Sequence, residues 1–140
     1  MPITEGLRRV RHRVGRRGAS LLFLAMLDVV YGTGLTCIGD IGRANPTYQY
    51  AASVAPLGAW AALWLLVAAV CAVQAFMIRD QLAFGCAVCL KILWGGLMLI
   101  GWLTGDLPRG YVSAAIWGAF GAWVFIISGW TESENSGARR

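Results

Sequence analysis

The chain has 140 residues, 58% of them hydrophobic and only 14% charged, with a formal net charge of +5. Soluble domains run about 45–50% apolar and about 25% charged. The mean hydropathy of +0.62 therefore excludes an ordinary soluble domain, and the length leaves room for a single bundle with no second domain.

Six of the twelve basic residues, Arg8, Arg9, Arg11, Arg13, Arg16 and Arg17, stand directly before the first apolar segment. Packed there, they read as a topology signal that keeps the N-terminus in the cytoplasm. They also read as contacts for the anionic inner leaflet of the lipid bilayer rather than for nucleic acid. Residues 1–18 form this basic arm. Leu7, Val10 and Val14 recur in it at helical spacing, so it is either a short amphipathic helix on the leaflet or a disordered tail.

The first span is expected over about 19–38, near the roughly 20 residues a crossing needs. It is too long for a signal-peptide core, and no cleavage site follows it, so the segment is expected to stay. Asp28, Tyr31, Gly32 and Leu35 fall on one of its faces. Residues 39–53 read as a loop with breakers at Gly39, Gly42, Asn45 and Pro46.

The second span is expected over about 54–78, with Ser53 as N-cap and Pro56 in the first turn. Ala55/Ala59 and Ala68/Ala72 are small-residue pairs that allow close helix approach. Gln74 is its one strongly polar interior residue and is grouped with the charge pair described below. A tight turn at Arg79-Asp80-Gln81 makes a hairpin with the third span, about 82–104, and leaves Asp80 to cap it. The fourth span is expected over about 111–130, with Ala114, Gly118 and Ala122 as a second small-residue stripe. The tail, 131–140, is polar and expected to be disordered. The fold class is thus all-α, an integral membrane bundle of four transmembrane helices with both termini cytoplasmic.

Two ionisable residues lie well inside apolar segments, Asp28 and Lys91. A charge at the bilayer centre costs at least about 2.5–3.5 kcal/mol, so each should have a partner or a water path. Each is nine residues from the cytoplasmic end of its span, about 13.5 Å at 1.5 Å per residue. Equal depth pairs them, and the first and third spans should then face each other through Asp28/Tyr31/Gly32 and Lys91/Trp94/Gly95. Trp94, three residues after Lys91, is placed to cover the ammonium. Such a pair is either a register-fixing salt bridge or part of a proton or substrate path.

Cys86 and Cys89 make a C-x-x-C, which in a four-helix membrane protein resembles the quinone-linked disulfide-forming enzymes. Those enzymes use loop cysteines on the oxidising side, whereas all four cysteines here lie in or at the end of apolar segments. Packing thiols are therefore expected. No metal ligand set, cofactor motif, catalytic triad or phosphate-cradling loop is present, so the chain is not expected to be an enzyme. Trp60, Trp64, Trp94, Trp117 and Trp123 read as an aromatic cage for a cation or, more simply, as packing.

The order Asp28-x-x-Tyr31-Gly32, Arg79-Asp80 with Ala83-Phe84, Lys91-x-x-Trp94-Gly95, then Ile116-Trp117 and Trp130 resembles small membrane proteins of actinobacterial phages and prophages. The resemblance covers about 16–130. It implies a host cytoplasmic membrane location and a holin-like role, permeabilising the membrane by homo-oligomerisation. The alternatives are an accessory protein that binds a partner, as in superinfection exclusion, and a small proton-coupled exporter using Asp28.

Overall fold

The computed structural model describes residues 2–39, 42, 44–77 and 80–129, with side chains from residue 16 onward. The expectations for the side chains of Arg8, Arg9, Arg11 and Arg13, for Asp40, Arg43, Arg79 and Trp130, and for the tail 131–140 lie outside the described residues. Among these residues the regular elements are all helices: α1 Pro2–Thr36, α2 Pro46–Val54, α3 Leu57–Gln74, α4 Gln81–Leu103 and α5 Gly110–Ser128. Four stretches are long and apolar enough to cross a membrane: Arg16–Thr36, Leu57–Gln74, Gln81–Leu103 and Gly110–Ser128. The chain is a multi-pass membrane protein by these criteria.

Helix α1 runs unbroken from the basic arm into the first span. Its 35 residues extend to about 52 Å at 1.5 Å per residue, well beyond a hydrocarbon core of about 30 Å. Arginine is a good helix former and no proline interrupts residues 3–36.

The expected loop 39–53 and the start of the expected second span are both corrected by α2. Asn45 caps this short helix, its side chain accepting from the Thr47 N–H at 2.9 Å, and Pro46 follows at the first helical position. Pro56 then forces a break. The residue before a proline is driven out of the helical region, and Ala55 is extended at φ −154°, ψ 151°. Pro56 therefore stands before α3 as its N-cap rather than in a first turn. Ser53 is no cap either, because its hydroxyl donates back to the Tyr50 carbonyl within α2. The junction is fastened by Trp60, whose ring N–H donates to the Ala51 carbonyl at 3.0 Å.

The bundle consists of two closely packed pairs, α1 with α3 and α4 with α5. The contact of α3 with α4, and a sparser one of α1 with α4, joins them. Glycine sets the spacing inside each pair. A Cβ on Gly32 would stand 3.0 Å from Leu65 Cγ and 3.2 Å from the Ala61 carbonyl of α3. A Cβ on Gly95 would stand 3.2 Å from Trp117 Cβ and 3.4 Å from the Ala114 carbonyl of α5. The expectation that these two glycines face each other is corrected. Each lies one helical turn from its charged residue, rotated by about 40°, enough to aim at the neighbour within its own pair.

The turn between α4 and α5 closes on Gly105, in the left-handed region at φ +86°. Leu107 folds under it, buried, and its N–H donates to the Gly101 carbonyl at 2.8 Å. Apolar side chains such as Phe23, Val30, Leu66, Leu82, Leu103 and Phe125 point outward, as lipid-facing positions require.

Candidate functional site: the buried charge pair and its aromatic box

Asp28 of α1 and Lys91 of α4 are both 0% exposed, and Lys91 Nζ donates to Asp28 Oδ1. The pairing read from equal depth is what the structure holds. It does not need helix contact along that line, because the lysine stem spans the gap between the two helix pairs.

The ring over the ammonium is Trp64 of α3, its centroid 4.6 Å from Lys91 Nζ. Trp94 was expected there. It shares a helix with Lys91, and the lysine reaches away from α4 across the core, so a neighbouring helix supplies the covering face. Trp94 instead meets Tyr31 and Trp60 edge-on, at centroid distances of 5.7 and 5.2 Å. Tyr31 is the hub of the rings, 4.3 Å from Trp64 and 5.2 Å from Trp117. Each such ring pair contributes about 0.5–1.5 kcal/mol beyond the area it buries. Of the five tryptophans singled out, Trp60, Trp64, Trp94 and Trp117 gather here, whereas Trp123 is exposed.

Among the described residues, two polar atoms in this box have no hydrogen-bond partner, Asp28 Oδ2 and Trp64 Nε1. Buried polar atoms are nearly always satisfied, and orphans mark sites that need explanation.

Gln74 is not in the pair's surroundings. It sits at the end of α3, where its side-chain oxygen accepts from the Ala83 N–H at 2.9 Å. It thus satisfies one of the free donors at the start of α4. Asp80 occupies the N-cap position of α4 but makes no cap bond. Its carboxylate is engaged by Arg17, with Nε and Nη2 each 2.8 Å from one oxygen, a bidentate charge-assisted pair. The Arg17 guanidinium also lies 5.3 Å above the Phe84 ring.

This second clasp was not legible in the sequence, yet it repeats the first. Both pairs join residues 63 apart in the chain, and 28 − 17 and 91 − 80 are both 11. Eleven residues is about three helical turns, so one face of α1 carries Arg17 and Asp28 and one face of α4 carries Asp80 and Lys91. The two pairs have opposite polarity. They fix α1 and α4 parallel and in a single register.

Of the expected small-residue stripes, Ala68 is buried and Ala72 half-buried. Ala114 and Gly118 are half-buried and pass Gly95 of α4 with their backbone, although a Cβ on Gly118 would meet nothing within 4 Å, and Ala122 is exposed. The four cysteines are free. Cys71 is buried, with its thiol donating to the Ala83 carbonyl at 3.8 Å, and Cys86 is half-buried. Cys37 and Cys89 are exposed rather than packed between helices. An open cleft of about 560 Å³, lined by Leu35, Thr36, Tyr48, Gln49 and Leu57, lies between the end of α1, α2 and the start of α3.

The chain matches no protein-family model, no curated protein and no solved structure.

Proposed function

We propose that this chain is a phage-type protein of the bacterial cytoplasmic membrane, with both termini in the cytoplasm, that acts by holin-like permeabilisation through self-association. The observation that carries the reading is how α5 divides its small residues. Gly121 is buried against Ile92 and Lys91 of α4, and Ala114 is half-buried with its carbonyl beside Gly95. Ala115, Ala119 and Ala122, together with Ile126, stand exposed on the face turned away from the buried Gly121, Val124 and Ile127, at intervals of four, three and four residues. Lipid gives helices no hydrophobic drive to associate, so close backbone approach over small residues is what holds them together. Helix α5 has the least buried of the four membrane-length segments, at 22%.

The interior supports the same reading. Asp28 is buried and bonded to Lys91 in a ring-lined core, so the pair is closed off within one copy and self-association is the route this reading takes to permeation. A proton-coupled exporter needs a carboxylate free to exchange protons. The positive-inside bias of Arg16, Arg17 and the arm supports the orientation and a contact with anionic headgroups.

The test is induced expression in a bacterial host, following membrane potential and escape of a co-expressed cytoplasmic endolysin. The native chain is expected to depolarise the membrane abruptly. Ala119→Leu, which fills the exposed seam and touches nothing inside, is expected to delay or abolish the event while the purified bundle melts as the native one does. A native chain that leaves the potential intact refutes permeabilisation, and unaltered timing in Ala119→Leu refutes the α5 seam.

A further inference from the structure

The walls around the Lys91 ammonium belong to other helices. Asp28 comes from α1 and Trp64 from α3, and Tyr31 of α1 and Trp117 of α5 pack behind the Trp64 ring and against each other. A carboxylate on one side and an indole face 4.6 Å away on another are the two elements that recognise a free organic ammonium. The box also holds an acceptor that Lys91 does not use, since Asp28 Oδ2 is buried and unpartnered among the described residues. A lysine kept only to neutralise Asp28 would need one oxygen and aliphatic walls. Here the walls are rings that contact one another independently of the lysine.

We propose that Asp28 and Trp64, the latter backed by Tyr31, form a binding site for primary alkylammonium ions, which the chain fills with its own Lys91 as a tethered internal ligand. The tether explains why Lys91 occupies the site in the native chain, because an attached group competes at an effective concentration that free amines do not reach. The ligand class follows from the stem. Alanine at position 91 keeps Cβ and removes Cγ, Cδ, Cε and Nζ, three carbons and an ammonium. The matching free ligand is n-propylammonium. The proposal does not depend on permeabilisation, and its readout is binding.

The experiment uses the full chain purified in detergent, with melting followed by tryptophan fluorescence. Native chain, Lys91→Ala, Lys91→Met and the double variant Asp28→Asn/Lys91→Ala are each titrated with n-propylammonium chloride. Sodium chloride serves as the ionic control and n-propanol as the neutral ligand of similar size. Lys91→Ala is expected to melt below the native chain and to regain most of the loss as n-propylammonium is added, with no gain from n-propanol or sodium chloride. The native chain and Lys91→Met, whose stems fill the space, are expected not to respond. An unresponsive Lys91→Ala overturns the proposal. So does an equal gain from n-propanol, which would mean cavity filling alone, or an equal gain in the double variant, which would mean that Asp28 plays no part. Should Lys91→Ala fail to accumulate, its yield in cells grown with n-propylammonium takes the place of melting. Recovered yield supports the site and unrecovered yield overturns it.

Discussion

Replacing Lys91 by methionine keeps the length and bulk of the side chain and removes the ammonium. The Asp28 carboxylate, 0% exposed, is then left in the core without its counter-charge. Removing one partner of a buried pair costs about 3–5 kcal/mol. Bonding chemistry gives a similar figure. The bare carboxylate can escape its charge by taking a proton, which for an ordinary aspartate costs about 4 kcal/mol at pH 7, from about 1.36 kcal/mol per unit above about 3.9. The sign of the pH dependence follows. The cost is full at pH 7 and shrinks as pH falls, so Lys91→Met should regain about 1.4 kcal/mol per unit toward pH 5 relative to the native chain. Adding Asp28→Leu removes the stranded charge. The double variant should return to within about 2 kcal/mol of the native chain, the remaining deficit being the lost ammonium–indole contact. Equilibrium unfolding in mixed micelles, read by tryptophan fluorescence at several pH values, measures all of this. A double variant as unstable as Lys91→Met, or a Lys91→Met loss that does not change with pH, would refute the reasoning.

Trp64→Phe keeps a ring over the ammonium and deletes the unpartnered Nε1 donor. Removing an unsatisfied buried donor relieves a penalty of about 1–3 kcal/mol, so the same unfolding assay should show this large-to-small change to cost well under the about 3–5 kcal/mol of a typical core tryptophan truncation. Gly110→Ala should destabilise by about 1–3 kcal/mol, because the new Cβ would collide with the Met98 carbonyl oxygen, backbone that cannot swing aside. Gly34→Ala, with nothing within 4 Å, is the matched control and should not destabilise.

The charge pair was legible in the sequence because charges inside apolar segments are rare and depth is countable. Asp28 and Lys91 each lie nine residues into their spans, and no other partner was on offer there. What surrounds the pair was not legible. The matching strings Asp28-x-x-Tyr31-Gly32 and Lys91-x-x-Trp94-Gly95 suggested two helices meeting glycine to glycine. A turn's rotation of about 40° sends each glycine to a different neighbour, and only the packed structure shows which. The ring over the ammonium, Trp64, was one tryptophan among several without an i, i+3 or i+4 relation to Lys91. Asp80 had a sound local role as a cap, and Gln74 had none. Arg17, 63 residues away, took the carboxylate, and Gln74 took over at the helix start. Long-range competition of this kind has no trace in local spacing. Pro56 was visible, but its effect depended on Ala55 being pushed extended, which moved the helix break to the proline itself.

The offset of 63 residues has a consequence in time. Synthesis at about 5–20 residues per second puts about 3–13 s between the emergence of Asp28 and that of Lys91. For that interval the first apolar helix holds a carboxylate whose partner does not yet exist, at an insertion cost of about 2.5–3.5 kcal/mol. Arg17 waits equally long for Asp80, since the offset is the same. Both clasps close only as the third membrane-length segment is delivered. A chain cut short before that point carries an unneutralised carboxylate in its first helix.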